Sequence, residues 1–278
     1  MSVDPVMQNL RMMFAPWNSA AAANAFPAPV TLAQALEKVS PPGSLTGAVD
    51  VHVDAATAKY FATAAIDIWH RAIHSLLISI VLTRQSSLWS IVSGYYATHY
   101  TFRGLAHLLG HFQLFRVKRM VHLRFENGSF ICAFRRGHGR EHDWYRKVVS
   151  SDIRFKSDPF FTSPAPSAML DVEYRDRANY ADHLSALLTM SAVDRAAVRN
   201  RMLQISRIEV QAPPELTIDS FPNVEAVQIN AYHRVVRFRN FLDETLVNNR
   251  LWKVHRNPGW AAEFTDFMTL EARGPVQR

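Results

Sequence analysis
A chain of 278 residues, 48% of them hydrophobic, has enough apolar content to bury a sizeable core, so disorder is not the default reading and one elaborated domain or a domain with an appendage fits. Its one cysteine, Cys132, excludes an intramolecular disulfide framework and argues against a cysteine-based zinc site, and a reducing compartment follows most simply. The formal net charge is +7, with six lysines and 25 arginines; the planar fork of arginine favours an anionic partner, although coding bias alone also yields arginine-rich chains.

Residues 1 to 48 read as an arm, with an Ala/Pro-rich stretch, a short helical piece around Leu32 to Lys38, and the breaker Pro41-Pro42-Gly43. Ala20 to Ala23 mimic a cleavage site, but Asp4 and the lack of a long apolar core between Arg11 and Asn18 argue against a signal peptide. From Ala55 to Leu82, the residues Phe61, Ala65, Ile68, Ala72 and Leu76 fall near one helical stripe and predict a buried helix. The best uncharged apolar run, Ser75 to Leu82 between Arg71 and Arg84, is well short of the about 18 residues that suggest a membrane span. No membrane crossing is expected, and a cytoplasmic location is.

A second helix is predicted from about Leu88 to Phe115, rich in aromatics: Trp89, Tyr95, Tyr96, Tyr100 and Phe102. Its polar residues His99, Arg103, His107 and His111 recur every four positions, and each step of four turns a helix by about 40°, so they share one slowly drifting stripe. Such a stripe can hold phosphate; a solvated or hydrogen-bonded face is the plainer reading.

From Met120 to Phe134 the period changes to two, and Asn127-Gly128 between the alternating segments signals a hairpin. The stretch from Arg135 to His142 reads as polar and flexible, and Trp144-Tyr145-Arg146-Lys147 adds aromatics among the charges. A basic arm of this kind can track a nucleic-acid backbone and stack on bases, or it is a solvated loop. Ser157 to Ser167 should connect, Met169 to Leu188 should be helical, and Ser191 with Asp194 reads as a capping box opening a helix through Ile205. Pro213-Pro214 interrupts the chain before a helical stretch from Asn223 to Asn249, and Trp252, Trp260, Phe264 and Phe267 should pack in a further helix or two. No internal repeat stands out.

Two stretches carry a family pattern: SGYYATHYTFRGLAHLLG, from Ser93 to Gly110, and YRDRANY, from Tyr174 to Tyr180. The first resembles the helix of one branch of the HEPN superfamily, helical RNA-handling proteins of prokaryotic toxins and defence systems. That helix has a paired Tyr-Tyr-Ala, an aromatic or histidine a turn later, and a small-Leu-Leu run. The second is similar to that branch's Leu-Arg-x-x-Arg-x-x-Ala-Asp-Tyr element, and the order of the two also fits the family's bundle. The resemblance implies a mainly α fold: a HEPN-like helical bundle over residues 49–205 with a β-hairpin inserted at about 118–150. An N-terminal arm (1–48) precedes it and a helical C-terminal extension (206–278) follows.

The function implied is that of an RNA-binding and RNA-cleaving protein of a toxin or anti-phage defence system. It would be a metal-independent endoribonuclease acting at a cleft between two protomers, hence a homodimer, without cofactor, and with an antitoxin or defence-system protein as partner. The superfamily signature is Arg, four to six residues, then His. The chemistry is sensible, because arginine grips the scissile phosphate while histidine moves a proton between the 2′-hydroxyl and the leaving oxygen. Five pairs fit, Arg116 to His122, Arg135 and Arg136 to His142, Arg177 to His183, and Arg250 to His255, where about three are expected by accident. Only Arg177 to His183 lies in the family-like element. On that assignment Arg177 holds phosphate, His183 serves as acid or base, and Arg175 and Asn179 position the substrate. His99, Arg103, Arg135, Arg136 and Arg140 are the candidate nucleic-acid contacts.

Six residues of regular helix turn through about 600°, so Arg177 and His183 converge only if the chain leaves the helix between them. The branch usually carries Asp where this chain has Asn179, and many of its members lack the histidine. A non-catalytic HEPN-like subunit that binds a nucleotide or a protein partner is therefore the alternative, and a helical scaffold the third reading. Two other patterns are set aside. Asp50 and Asp54 after Gly43-Ser44 are four apart, where a nucleotidyltransferase needs metal-binding acids two apart. His70 with His74, and His107 with His111, have zinc-pair spacing but no glutamate after the first histidine. No metal is expected.

Overall fold
The computed structural model describes residues 49–52, 55–116, 119–126, 129–134, 141–162, 192–208, 214, 224–247 and 249–268. They are mainly helical with little strand. In chain order the elements are β1 (Val49–His52), α1 (Ala55–Val81), α2 (Ser87–Leu108), β2 (His111–Arg116), β3 (Arg119–Glu126) and β4 (Ser129–Phe134). There follow α3 (Glu141–Ser151), α4 (Pro159–Thr162), α5 (Ala192–Arg207), α6 (Val224–Thr245), α7 (Arg250–His255) and α8 (Ala262–Thr265). The chain divides into two compact units, each gathered from three stretches: Met1–Asp67, Phe102–Val149 and Phe241–Arg256 in the first, and Ile68–Thr101, Ser150–Asn240 and Asn257–Arg278 in the second.

The first unit holds a four-stranded antiparallel sheet in the order β1-β4-β3-β2. The expected hairpin is present, with Glu126 opposite Ser129 across the Asn-Gly pair, but it is the middle of a larger sheet. The predicted long second helix is corrected here. It stops at Leu108, and Gly110 takes φ 79, a left-handed backbone conformation that glycine adopts without steric cost and that ends helices. His111 to Phe115 therefore belong to a strand. Of the stretch expected to be flexible, Arg135 to Arg140 lie outside the described residues, and Glu141 and His142 are helical, opening Glu141–Ser151. This helix buries Tyr145 and Val149 at i, i+4 and leaves Asp143 and Lys147 exposed. In the same unit, Asn249 caps α7 by accepting from the Trp252 backbone N–H at 3.0 Å, and the Trp252 indole donates to Asp243 at 2.9 Å.

The second unit packs the α1 stretch from Ile68 and the α2 stretch up to Thr101 with α4, α5, α6 and α8. The stripe expected of the first helix is real: Ala65, Ile68, Ala72 and Leu76 are buried, and in this unit Trp69 meets Phe238 edge-on at 5.7 Å. Ala64–Val81 is one helix stretch long and apolar enough, by length and composition, to cross a membrane, a longer window than Ser75 to Leu82; 67% of it is buried in the fold, as in a core helix. Gly94 sits at a close approach of α2 to its neighbours, since a Cβ there would lie 2.6 Å from Val227 Cγ1 and 3.2 Å from Ser79 Oγ.

The segment from Ser157 was expected to be loop, yet Pro159–Thr162 forms a helical turn, with the Asp158 side chain accepting from the Phe160 N–H at 3.0 Å. Buried Arg234 donates to the Phe160 carbonyl at 2.7 Å, and Arg237 lies over the Phe160 ring at 4.2 Å and pairs with Asp158. The helix expected after Ser191 runs over Ala192–Arg207, and that expected from Asn223 runs over Val224–Thr245. The two short helices α7 and α8 account for the last predicted segment. The N-terminal arm and the helix from Met169 to Leu188 lie outside the described residues.

Candidate functional site
The residues assigned to catalysis, Arg175, Arg177, Asn179 and His183, lie outside the described residues, as do Arg135, Arg136 and Arg140. His99 and Arg103 stand on α2, in the second and first units respectively. The four-spaced polar stripe of which they were part is corrected. His107 is 2% exposed and His111 starts a strand, so the stripe is neither a single helix face nor solvated along its length.

In the second unit, α2 displays a run of aromatic rings. A residue advances 100° around a helix, so Trp89, Tyr96 and Tyr100 fall within about 40° of one another, with His99 and Tyr95 flanking on one side. Trp89 is 41% exposed, an unusual state for a tryptophan, and Tyr95, Tyr96, His99 and Tyr100 are each half-buried. Tyr95 and His99, one turn apart, stack at 6.2 Å between centroids; Tyr96 and Tyr100 repeat that spacing at 6.0 Å. Edge contacts of Tyr96 with Tyr95 at 5.6 Å and with His99 at 6.4 Å tie the two columns together. From Trp89 to Tyr100 the rise is roughly 16 Å. Ile91, Ala97 and Phe102 are buried on the remaining sides of the same helix, and buried Val92 falls between Tyr96 and His99 around it, so the aromatic run borders the core seam.

Beneath the helix is a buried polar network. Ser79 and Ser90 exchange hydroxyl-to-carbonyl bonds at 2.6 Å each. The Gln228 amide donates to Thr83 Oγ1 at 2.7 Å and to Ser79 O and Ser90 Oγ at 3.2 Å, while its oxygen accepts from Arg201 Nε at 3.1 Å. Gln228 is fully buried and its polar atoms are spoken for, which is the arrangement a buried amide requires.

In the first unit, His111 and Gln113 on β2 face the same side of the sheet as His122 and Arg124, their cross-strand partners in inverse order. Trp144 of α3 covers that face, 4.3 Å from His122 and 6.0 Å from His111 between ring centroids, and Gln113 Nε2 lies 3.0 Å from His122 Nε2. His107 is packed against Phe112 at 4.8 Å and lies within 3.5 Å of the Tyr145 hydroxyl. Burial, with a smaller contribution from the Arg103 guanidinium, holds the His107 imidazole well below its ordinary pKa of 6.5. His107 is thus a neutral core residue rather than a phosphate ligand. In the second unit His70 and His74 both meet the Trp260 ring at 6.1 Å, and no cluster of three metal-ligating side chains occurs among the described residues.

The sequence marked the aromatics of α2 as a feature of the helix and did not rank them as contact residues. The signal that selects them is exposure, which depends on what the rest of the chain covers. No family model matches the chain, and neither a curated protein nor a solved structure matches it.

Proposed function
We propose that this chain binds single-stranded RNA, with the aromatic face of α2 from Trp89 to Tyr100 as a stacking platform. The observation that carries the reading is the combination of exposed Trp89 with half-buried, mutually ordered Tyr95, Tyr96, His99 and Tyr100. Rings that order one another and remain partly exposed suit base stacking, which contributes about 1–3 kcal/mol per base and tolerates any sequence. A net charge of +7 supplies the attraction for phosphate. The same helix carries the Tyr-Tyr-Ala stretch that resembles the HEPN pattern, so the reading and the resemblance point to one class of ligand.

The resemblance extends the proposal to a HEPN-like endoribonuclease of a toxin or anti-phage system, with Arg177 and His183 from two protomers meeting at one cleft, and Arg175 and Asn179 beside them. The rival, a non-catalytic subunit whose exposed Trp89 docks a protein, rests on the same surface, since tryptophan is enriched at protein interfaces. RNA affinity measured against salt separates the two. The proposal expects log affinity to fall linearly with log salt, by about 0.7 per phosphate neutralised on a single strand. Salt-insensitive or absent RNA binding would remove it. Cleavage is tested separately, by RNA turnover in EDTA that disappears in Arg177→Ala and His183→Ala with the helical signal intact.

A further inference from the structure
The second unit has a further feature, which involves none of the α2 aromatic residues. A cleft of about 450 Å³ opens between the end of α1 and its following turn and one face of α5. Its polar lining is Thr83, Arg84, Gln85, Asn200, Arg201 and Gln204, over a floor that includes Ile80 and Val198. Two guanidinium groups, three carboxamides and a hydroxyl line it, and none of its lining residues is acidic.

The cleft is built instead of incidental. Arg201 is aimed by the network already described: Nε donates to buried Gln228 at 3.1 Å and Nη1 to Gln204 at 3.3 Å, with Glu225 at 3.5 Å from Nη2. A guanidinium has five N–H donors, so at least two of those on Arg201 are uncommitted among the described residues. Gln228 is itself fixed by Ser79, Thr83 and Ser90, so the fork is oriented before any ligand arrives. Half-exposed Glu225 offsets part of the Arg201 charge, whereas exposed Arg84 has no ion pair among the described residues.

We propose that this cleft is a binding site for a small hydroxylated organic phosphate, of the sugar-phosphate class. The two arginines take the phosphate, since planar forks match its oxygens bidentately. Carboxamides of Gln85, Asn200 and Gln204 offer both donors and acceptors to hydroxyls, and the volume lies in the range of small-molecule sites, roughly 300–1,000 Å³. Phosphate on ribose is also what an RNA backbone presents, so the chemistry has two sources, and the test separates them.

Calorimetric titration of the full chain with glucose 6-phosphate, glucose and inorganic phosphate at fixed ionic strength is the experiment. Glucose 6-phosphate binds saturably, inorganic phosphate binds more weakly, and glucose does not bind. Arg84→Ala, at an exposed position that does not disturb folding, weakens glucose 6-phosphate binding by about tenfold or more, and Glu225→Gln tightens it. Absence of saturable binding of glucose 6-phosphate overturns the proposal, as does affinity unchanged in a folded Arg84→Ala protein, or equal affinity for glucose. If RNA displaces glucose 6-phosphate and Arg84→Ala loses RNA affinity to the same degree, the cleft belongs to the RNA path and the small-molecule proposal fails. Loss of RNA binding in variants of the α2 tyrosines leaves it standing.

Discussion

Tyr95 and His99 lie one turn apart on α2 with their rings 6.2 Å apart and their planes inclined by only 19°. Two stacked rings on an open helix side restrict each other's rotamers, so a third ring arriving on top finds a surface that costs little further side-chain entropy to order. The contact is local to the helix and depends on i, i+4 spacing, and Tyr96 and Tyr100 repeat that spacing at 6.0 Å with their planes tilted by 31°. Tyr95→Ala with Tyr96→Ala should weaken binding of a short single-stranded RNA by about 1–3 kcal/mol per stacked base. Both rings are half-buried, so the double variant should also lower the unfolding midpoint, and binding is compared at a temperature where it remains folded. Fluorescence anisotropy and thermal unfolding of the same preparations check both halves.

Gly94 is a packing requirement of the second unit. The Cβ of Gly94→Ala would sit 2.6 Å from Val227 Cγ1, closer than real contacts allow, so α2 and α6 must shift or Val227 must change rotamer. Overpacking of this kind costs about 1–3 kcal/mol, against the stabilisation of up to about 1 kcal/mol that alanine brings to a helix interior. Denaturant unfolding should show a net loss, and the double variant Gly94→Ala with Val227→Ala should recover most of it.

Gln228 is the hub of the Ser79, Thr83, Ser90 and Arg201 network. Gln228→Leu keeps approximate volume but removes all the Gln228 bonds; Ser79, Thr83 and Ser90 keep their bonds to one another, so Arg201 Nε is the donor left without its acceptor, and a buried group left without a bond costs about 1–3 kcal/mol. Unfolding by urea should register a loss of that order.

Stability should also fall in mild acid. His107 is depressed by burial first and by Arg103 second, and His74 by burial first and by Arg71 second. In the folded protein both stay neutral at pH values where the unfolded chain, titrating near 6.5, already takes up protons. The stability is therefore present above the unfolded value and is lost as pH drops below it toward the depressed folded values. Each pH unit of full difference in protonation costs about 1.4 kcal/mol per histidine. Urea midpoints between neutral pH and pH 5 should decline in the parent chain, and decline less steeply in His107→Leu and in His74→Leu.

What the sequence reveals of this fold divides by the range of the interactions involved. α1 is legible because Ala65, Ile68, Ala72 and Leu76 repeat at helical spacing and all are buried. The hairpin is legible because Asn127-Gly128 stands between alternating residues, and β3 and β4 pair across it. The end of α2 misleads because the four-residue spacing from His107 to His111 continues through Gly110, where the backbone turns left-handed. β1 escapes notice because four residues acquire strand identity only from β4, about 80 positions later in the chain. The buried network and the cleft leave no local pattern at all: Thr83, Arg201 and Gln228 come from three separate helical regions, each ordinary in its own sequence. For the aromatic run, the residue types are plain in the sequence, while their exposure is a property of the assembled unit.

The central claim is that RNA lies on the aromatic face of α2. Ultraviolet crosslinking of the full chain to single-stranded RNA, followed by mass spectrometry of the adducted peptides, addresses it directly, because a crosslink forms only where a base meets a side chain. The account predicts adducts within Trp89 to Tyr100, reduced in Tyr95→Ala with Tyr96→Ala. Adducts confined to other parts of the chain, undiminished in that variant, would contradict it.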